Sequence, residues 1–568
     1  MAIRVTPKSE QIPINIVGSS SFGDWPKISL EKTYNMFESD GWLVPYPGWH
    51  KVLIPLAAGK EGRGLFRSFR GNRMIAVVDS NVYDISSTLG SRLVGTLATQ
   101  SGEVFMDENL FSQICIVDGL NMYIYNYVVG GVIVQTGGVL AGSPPNLIPS
   151  FVSYHNGFFL LGNSIQSAAS NNWYSYAYST PTTVTMSTTM SLETKPDAAL
   201  AIKRIPAQAA NVLVFGGSVC EVWTQVGGLN SAGIAEDYQR NNSISIDDGC
   251  LSISTIAESE DYIAWLGVNE DNLPSITSIT GQTVTRISTD GIDYLVQSLK
   301  NPANSTAMMY RLNGHLFYHI SFLDPADNLT LLYDFNVNKF YHSCDQFFNY
   351  HPARQLVYFN TNAPNNTALD GINQNIFFIS IKGGYIYQLS QQFNDINEDI
   401  NTDFSPGHPV NNPAPTDPNL RYEMQRVRIC KAIRFPTSAP FKLNQICFTI
   451  MQGNTYEDAI QECIILMITE NNIRIFSENP SYRQLVPERA GQEDCLAVPY
   501  QGRIDCALSK NGMDTWSNYV PRYMHHDGFG KNILRWDKGG KANDVIPKFR
   551  FCTYGPIVCT DGYAEVTT

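Results

Sequence analysis

The chain has 568 residues and a net charge of −13; hydrophobic residues make up 43% and charged residues 16%, with 29 Tyr, 28 Phe and 8 Trp. Few charges and many aromatic residues are typical of strands buried between sheets. The acidic balance argues against a surface that grips DNA, because clustered Lys and Arg drive phosphate binding. We find no apolar run long enough for a membrane span and no secretory signal in the first twenty residues. We therefore expect a protein that folds in the cytoplasm and makes no direct membrane insertion.

The N-terminal segment, residues 1–45, contains Pro7, Pro13, Pro26 and Pro45 and has only weak hydrophobic periodicity. Proline removes a backbone donor and disfavours regular pairing. The sequence therefore predicts an extended N-terminal arm here. The 11 cysteines include no CxxC pair, and most lie singly in apolar strands. They are typical of reduced core thiols.

The region 46–393 repeats one local pattern: an apolar strand, a turn rich in Gly, Asn or Asp, and a strand with alternating aromatic residues. The predicted turns are Asp79-Ser80-Asn81, Asp118-Gly119, Asn156-Gly157, Gly216-Gly217, Asn313-Gly314 and Gly383-Gly384. Such turns supply the positive φ that tight hairpins need. The hairpins recur at intervals that include the periods of propeller blades, and radial repetition protects strand edges. The pattern favours an all-β fold with a β-propeller of six or seven blades over two consecutive β-sandwiches.

One helix stands out in this region. In 289–302, Ile292, Leu295, Val296 and Leu299 fall on one helical face. Asp290 is the predicted N-cap, and Pro302 ends the run.

Residues 394–419 are acidic at first and then rich in Pro and Asn, with too few apolar groups to build a core. We predict a linker or an exposed loop. Strand patterns return in 420–568, which indicates a C-terminal β-domain with a sandwich-like fold.

A search for catalytic, cofactor-binding or metal-binding motifs nominates no site. There is no nucleophile elbow, phosphate-binding loop or zinc-protease motif. His525-His526-Asp527 is the one His/carboxylate cluster, and adjacent strand residues point to opposite faces, so a solvated loop is favoured over a metal site. The 52 acidic residues leave a glycosidase-like carboxylate pair open, but nothing nominates one. We predict that the chain is not an enzyme and needs no cofactor.

The segment from Ser509 to Trp516 is similar to the Asp-box hairpin of sialidase-like propellers, with Asn511 and Met513 as departures. That box is a structural hairpin and supplies no catalytic residue. We predict a hairpin stabilised by a tucked Trp516.

Two basic clusters stand out in this acidic chain, and their members are candidates for contacts with a neighbouring ring or with DNA phosphates. The first consists of Lys60, Arg63, Arg67, Arg70 and Arg73; the second consists of Arg421, Arg426, Arg428, Lys431 and Arg434. A solvated strand face remains the alternative for both clusters. Aromatic residues between them are few, which argues against a dedicated nucleic-acid platform.

The ordered motifs of the chain resemble a phage family, the packaged-DNA stabilisation or tail-hub (nozzle) proteins of short-tailed bacteriophages (podoviruses). The similar features are an Asn-Met pair, a Gly-x-Leu…Pro-Gly step, an Arg-Gly pair before the first strand and an Ile-Ser-Thr helix start. They fall at Asn35-Met36, Gly41 to Gly48, Arg63-Gly64 and Ile287-Ser288-Thr289. VFGGSVCEVWTQVGG (214–228), DDGCLSISTIAESEDYIAWLG (247–267) and the end of the chain are similar in order as well. The acidic stretch 394–419 departs from the family as an insertion.

What the resemblance implies is a subunit of a hexameric ring in the virion tail, made in the host cytoplasm. Its implied partners are the portal and adaptor rings, a tail needle or tip protein, and tail fibres or spikes. Genomic DNA would pass through the lumen of the ring, which would retain the packaged DNA and later conduct it during ejection. A carbohydrate-binding or depolymerase-type propeller for receptor recognition is the alternative function. An intracellular scaffold propeller is a third.

Overall fold

In a computed structural model, the chain divides into two compact units: Ser20–Pro26 with His50–Ser390, and Met1–Ser19 with Lys27–Trp49 and Gln391–Thr568. The structure describes residues 9–21, 31–52, 54, 56–57, 59–138, 148–164, 172–177, 184–229, 235–361, 375–391, 393–398, 421–435, 439–452, 463–464, 467–468, 474–475, 496–497, 502–524, 531–553 and 557–567.

The strands before the first blade are β1 (Ser9–Ile14), β2 (Lys32–Tyr34), β3 (Met36–Ser39), β4 (Trp42–Pro45) and β5 (Trp49–Lys51). Blade 1 contains β6 (Gly62–Ser68), β7 (Arg73–Val78), β8 (Asn81–Ile85) and β9 (Ser91–Thr96). Blade 2 contains β10 (Phe105–Glu108), β11 (Gln113–Val117), β12 (Asn121–Asn126) and β13 (Val134–Gly138). Blade 3 contains β14 (Pro149–His155), β15 (Phe158–Asn163), β16 (Asn172–Ala177) and β17 (Val184–Ser191). Blade 4 contains β18 (Ala201–Arg204), β19 (Asn211–Phe215), β20 (Cys220–Leu229) and β21 (Ala235–Ile246).

Blade 5 contains β22 (Gly249–Cys250), a 3₁₀ turn (Ile253–Thr255), β23 (Ala257–Glu258), β24 (Ile263–Val268), β25 (Pro274–Thr280) and β26 (Thr283–Arg286). Blade 6 contains β27 (Ser305–Leu312), β28 (His315–Phe322), β29 (Leu329–Asp334) and β30 (Lys339–His342). Blade 7 contains β31 (Ala353–Phe359), β32 (Asn375–Ser380) and β33 (Ile386–Leu389), and β5 is its fourth strand.

The seven blades close into a ring. The innermost strands β6, β10, β14 and β18 contact one another in turn, and so do β23, β27, β31 and β6. Between β18 and β23, Lys203 pairs with Glu258 at 2.6 Å. The seventh blade combines strands from both ends of this part of the chain, and Val52 N donates to Ile386 O at 2.9 Å beside β5. These contacts confirm the prediction of a β-propeller, and the number of blades is seven. Radial closure leaves no innermost strand with an uncovered edge.

The predicted hairpin turns lie where the sequence places them. Asn156-Gly157 joins β14 to β15, and Asn313-Gly314 joins β27 to β28, with positive φ at both residues of each turn. This backbone twist matches the right-handed twist of the paired strands. At Gly216-Gly217, between β19 and β20, no positive φ occurs. Glycine is needed at Gly216 for space, since a Cβ there would lie 2.6 Å from Leu192 Cδ1.

The predicted helix is α1 (Asp290–Gln297), which buries Ile292 and Val296 against the neighbouring strands of blades 5 and 6. Its N-cap is Thr289 and not Asp290: the Thr289 side chain accepts a hydrogen bond from Ile292 N at 3.4 Å. A threonine hydroxyl satisfies an N-terminal amide that lacks a helical partner, and Asp290 then lies in the first turn, where a negative charge is favourable.

The second unit is a β-sandwich. Its later strands are β34 (Asp395–Asn397), β35 (Arg421–Glu423), β36 (Arg426–Ile429), β37 (Ile433–Arg434), β38 (Phe441–Gln452), β39 (Cys463–Ile464), β40 (Met467–Ile468), β41 (Arg474–Ile475), β42 (Leu496–Ala497), β43 (Arg503–Ser509), β44 (Val520–Tyr523), β45 (Lys531–Ala542), β46 (Asp544–Cys552) and β47 (Ile557–Thr567). One sheet has the order β3-β4-β47-β38-β45, with β1 on β47; the other has the order β2-β36-β46-β43-β44, with β37 on β46. Between them lies a core that includes Met36, Phe448, Trp536 and Phe549.

Two expected boundaries are corrected. The N-terminal arm is not a separate extended segment, because β1 pairs with β47 from Ser9↔Thr567 to Ile14↔Gly562 and β2 pairs with β36. These pairings join residues more than 390 positions apart, which local periodicity does not reveal. The segment predicted as a linker from 394 begins with a strand, since β34 pairs with β35.

Three further predictions from the sequence, on the cysteines, on membrane spans and on the hairpin around Trp516, can be compared with the described ranges. The nine cysteines whose side chains the structure describes are buried and joined by no disulfide. No helix there combines the length and apolar character needed to cross a bilayer. The 509–516 segment joins β43 to β44 as the predicted hairpin, and Trp516 packs against Val427, Ile429 and Ile546.

Candidate functional site

The axis of the propeller holds a cavity of about 740 Å³. Each of the seven blades contributes to its wall. Each innermost strand contributes at least one lining residue. In order from blade 1 to blade 7, these include Leu65, Met106, Phe151, Lys203, Ala257, Met308 and Val357. Concave sites with apolar walls and a few polar groups are where ligands and functional contacts concentrate. The axis is therefore the candidate functional site of this unit.

Glu103 lies across this axis. It precedes β10 of blade 2, yet its carboxylate accepts hydrogen bonds from Gln355 Nε2 of blade 7 at 2.7 Å and from Thr306 Oγ1 of blade 6 at 3.2 Å. A side-chain hydrogen bond also joins it to Ser254 of blade 5. Burial raises the pKa of Glu103, and the nearby Arg354 guanidinium opposes that rise. One carboxylate thus ties four blades together and obstructs the axis at this level.

Gln355 extends the same network. Its Oε1 accepts a hydrogen bond from Leu65 N of blade 1 at 2.7 Å, while its Nε2 donates to Glu103. The Thr306 hydroxyl is also within 3.3 Å of the Arg354 carbonyl. Buried polar networks of this kind rigidify a core when every member is satisfied.

A second group of charges lies nearer to blades 2 to 5. Asp107 Oδ2 accepts a hydrogen bond from Tyr154 N at 2.6 Å, which links blades 2 and 3. Burial raises the pKa of Asp107 to about 6, against the attraction of Lys203. Burial alone would lower the pKa of Lys203, but the Glu258 and Asp107 carboxylates raise it above its usual value. Lys203 therefore offsets part of the charge of Asp107 and Glu258, and these contacts link adjacent blades.

Within the described ranges no three His, Cys, Asp or Glu side chains are grouped so that they could hold a metal ion. His525, His526 and Asp527 lie outside the described residues. The expectation that the chain has no cofactor and no catalytic site stays a prediction.

The first basic cluster does not form one surface. Lys60 and Arg70 are exposed, and Arg67 is half-buried over the Phe69 ring. Arg73 forms an ion pair with the buried Asp84 at 2.7 Å. Lys60 and Arg70 are therefore the members with exposed side chains.

Arg63 is a correction to the predicted contact set. It has an exposure of 0% and donates from Nε to Gly102 O, from Nη1 to Asp79 O and Thr99 O, and from Nη2 to Thr99 Oγ1, at 2.7–2.8 Å. These bonds fix a turn of blade 1 to the connection into blade 2. A guanidinium used in this way cannot also contact DNA or another subunit.

The second cluster is divided in the same way. Lys431 and Arg434 are exposed, with Arg434 3.7 Å from Asp544. The Arg421 side chain lies outside the described part. Arg426 and Arg428 are 0% exposed, so the prediction that they contact a ring or DNA is wrong.

Arg428 clamps the N-terminal strands to the sandwich. Its guanidinium donates to Ile16 O at 3.0 Å, to Ser19 O and Asn15 O at 2.9 Å and to Thr33 Oγ1 at 3.1 Å, and it forms an ion pair with Glu31. The planar, five-donor guanidinium suits such a junction, because lysine could not make these bonds at once.

Arg426 fixes a second junction in the same unit, with bonds to Tyr46 O, Asn394 Oδ1 and Thr553 O at 3.1–3.3 Å. Sequence reasoning detected these arginines as charges but missed their burial. Glu103, Asp107, Lys203 and Gln355 carry no local signal, because their partners come from other blades and lie far away in the sequence.

A second cavity, of about 620 Å³, opens in the sandwich and includes Trp516 and Trp536. It does not support the carbohydrate alternative. Trp536 stacks on Phe448 at 5.4 Å, and Lys548 lies 5.2 Å over the Trp516 ring. A sugar stacks on an exposed aromatic face, whereas Trp536 is buried and Lys548 lies over one face of Trp516.

Comparison with known proteins identifies one family. The family model described as "Phage_stabilise: Bacteriophage P22 Gp10, beta-propeller" matches residues 24–346, more than half of the chain. No curated protein matches the sequence.

Solved structures with a similar fold include two bacterial proteins. The extracellular domain of the one component system BT4673 from B. thetaiotaomicron is 10% identical, with a TM-score of 0.38 over 60% of this chain and 40% of that chain. The chain thus spans about two fifths of the length of that protein. Virginiamycin B lyase from Staphylococcus aureus is 10% identical, with a TM-score of 0.37 over 67% of this chain and 99% of that chain.

Proposed function

We propose a function from one premise: this chain belongs to the packaged-DNA stabilisation β-propeller family of bacteriophage P22 Gp10. It is thus a phage structural protein by family. We propose further that it is a tail-hub or nozzle subunit that joins the portal and adaptor rings to the tail tip. In this role it forms a ring, with a hexamer expected, retains packaged DNA in the head and conducts it during ejection. The family match carries the proposal.

The structure of the propeller supports a mechanical role. Glu103 ties blade 2 to blades 5, 6 and 7, and Gln355 ties blade 7 to blades 1 and 2. Closure through β5 removes a free blade edge. A plate stiffened in this way can resist the pressure of packaged DNA without catalysis.

The obstructed axis supports a DNA path outside the individual propellers. Glu103 obstructs the axis of each propeller, and the cavity there is only about 740 Å³. A duplex whose major groove alone is about 12 Å wide does not fit through it. The DNA path would therefore be the lumen between subunits of the ring. A net charge of −13 would limit adhesion of DNA to its wall.

Electron microscopy of the chain with its portal and adaptor rings tests the proposal. We expect a closed ring that continues the axis of the adaptor, and heads that keep their DNA protected from nuclease when the chain is present. Failure to form a ring even on the adaptor, together with unchanged leakage of DNA, would refute it. A ring with DNA density inside individual propellers would contradict the proposed path.

A further inference from the structure

The outer face of the second sandwich sheet carries a basic and aromatic surface, here called the cationic patch. It consists of Lys32, Arg503, Trp516, Tyr519, Lys548 and Arg550. None of these residues belongs to the two basic clusters of the sequence. All lie in the sandwich unit.

The strand register places the cations on one face. Lys32 lies opposite Ile429, and Ile429 lies opposite Lys548, so one row crosses β2, β36 and β46. Arg550 follows Lys548 by two positions and therefore points to the same side, while Phe549 between them faces the core. Arg503 lies opposite Cys552 on the neighbouring strand, two further positions along.

Lys32 and Lys548 are cations without a compensating anion. Neither forms an ion pair with any carboxylate of the described residues. Burial, and then the charge of Lys548, lower the pKa of Lys32. Two like charges held together at a partly buried site are costly unless an anion joins them.

The two arginines share one carboxylate. Arg550 Nη2 lies 2.7 Å from Asp505 Oδ2, and Arg503 Nε lies 3.0 Å from Asp505 Oδ1. Asp505 is buried, whereas both guanidinium groups are more than a third exposed. Lys32 and Lys548 bring the patch to four cations, and Asp505 is the one carboxylate of the described residues that forms ion pairs with any of them, on a chain whose overall charge is −13.

The aromatic rings support the cations. Lys548 Nζ lies 5.2 Å from the Trp516 ring centroid, and Arg550 Cζ lies 5.0 Å from that of Tyr519. Cation–π contact holds such groups in place and leaves their remaining N–H bonds directed outward. Trp516 itself is anchored on Val427 and Ile429 of the same sheet face.

We propose that the cationic patch docks an acidic, extended segment of a protein partner, with carboxylates at alternate positions. Residues two apart on a strand are about 6.4–6.8 Å apart, so such a segment can set one carboxylate against Lys548 and the next against Arg550. Bidentate contact between a guanidinium and a carboxylate gives the directional part of the recognition.

The chemistry of the patch favours a protein over a nucleic acid. Trp, Tyr and Arg are the residues enriched at the energetic centres of protein interfaces. Nucleic-acid platforms instead need open aromatic faces for base stacking, and here a cation already lies over one face of the Trp516 ring and one face of the Tyr519 ring. Asp505 within the patch would also repel a continuous row of phosphates.

The test uses the full chain and a fluorescein-labelled peptide of four Glu-Thr repeats. Fluorescence anisotropy should show saturable binding that weakens about tenfold for Lys548→Gln and about tenfold for Arg550→Gln, which are typical losses for truncating one charge-assisted contact. Lys442→Gln with Lys541→Gln is the matched control, because these lysines lie opposite each other on the other sheet and should leave binding unchanged. Thermal unfolding checks that each variant retains the wild-type fold.

Several outcomes would overturn the proposal. One is that the Glu-Thr peptide does not bind to the wild type. Another is that the control variant with Lys442→Gln and Lys541→Gln loses as much affinity for the peptide as the patch variants do. Equal binding of a Gln-Thr peptide would remove the role of carboxylates. Tighter binding of a 20-base-pair DNA duplex that is lost in the same variants would assign the patch to nucleic acid instead. Ring formation on the adaptor is a separate measurement, so either proposal can fail alone.

Discussion

Glu103 in blade 2 accepts a hydrogen bond at 3.2 Å from the hydroxyl of Thr306 in blade 6. In a ring of seven blades these two are three steps apart, so the bond crosses the axis. Gln355 Nε2 donates to the other oxygen of the same carboxylate at 2.7 Å. The centre of the propeller is therefore tied by one acidic side chain and not only by contacts between neighbouring blades.

Replacing Glu103 should loosen the propeller. In Glu103→Ala, Gln355 and Thr306 lose their charged acceptor and keep only the longer contacts to Val104 O and Arg354 O at 3.3 Å, so we expect a loss of about 2–4 kcal/mol in the free energy of unfolding. Glu103→Gln keeps the shape and one acceptor oxygen, so its loss should stay below about 1.5 kcal/mol. Urea unfolding measures both. Equal losses for the two variants would show that the carboxylate bonds do not tie the blades.

Acid should destabilise the propeller through buried histidines. Burial lowers the pKa of His319 to about 3, and burial with the charge of His319 lowers that of His351. The unfolded chain then binds more protons than the folded chain between pH about 6.5 and about 3, so stability falls as pH falls through this window.

His319→Gln removes one of these titrations. Between pH 7.5 and pH 5 the wild type should lose about 2 kcal/mol more than this variant, which follows from about 1.4 kcal/mol per pH unit below the unfolded pKa. Denaturant unfolding at the two pH values gives the comparison, and any constant effect of the substitution cancels. A difference between the proteins that does not change with pH would contradict the prediction.

Variants that replace arginine with lysine can distinguish the buried arginines of the basic clusters from the exposed ones. Arg428→Lys should cost about 2–4 kcal/mol, because an ammonium has only three donors and leaves some of the buried acceptors around Arg428 unpaired. Arg434→Lys is the control, since Arg434 is half-exposed and lies 3.7 Å from Asp544; its effect should stay within about 0.5 kcal/mol. Denaturant unfolding of the full chain gives both values. A small loss for Arg428→Lys would mean that the clamp is dispensable.

The turn at Asn313-Gly314 needs glycine for its backbone conformation and not for space. At Gly314, φ is +82° and nothing lies within 4 Å of an added Cβ, so Gly314→Ala should cost about 1 kcal/mol or more through strain alone. Gly90→Ala is the control, because Gly90 is also an exposed loop glycine but has no positive φ and should tolerate the added side chain. Thermal unfolding of the two variants decides the point. A loss at Gly90 equal to that at Gly314 would point to a general cost of side chains in loops.

The sequence predicted much of the local structure. Paired turn residues such as Asn156-Gly157 and Asn313-Gly314 predicted hairpins because the backbone they need is local and few residues adopt it. The apolar face of Ile292 and Val296 predicted α1 for the same reason. The N-cap was displaced by one residue, since Thr289 and Asp290 both carry an acceptor and only the final geometry selects one.

The sequence by itself determined an all-β chain of repeated hairpins and the order of motifs that indicates its family. The tertiary structure alone decided that the ring has seven blades, because β5 completes blade 7 from the other end of the unit. It also decided that Arg63, Arg426 and Arg428 are buried clamps and that Glu103 crosses the axis. Local patterns report which residues are charged or apolar, but burial depends on partners that lie tens to hundreds of positions away in the sequence. Only the closed fold brings those partners together.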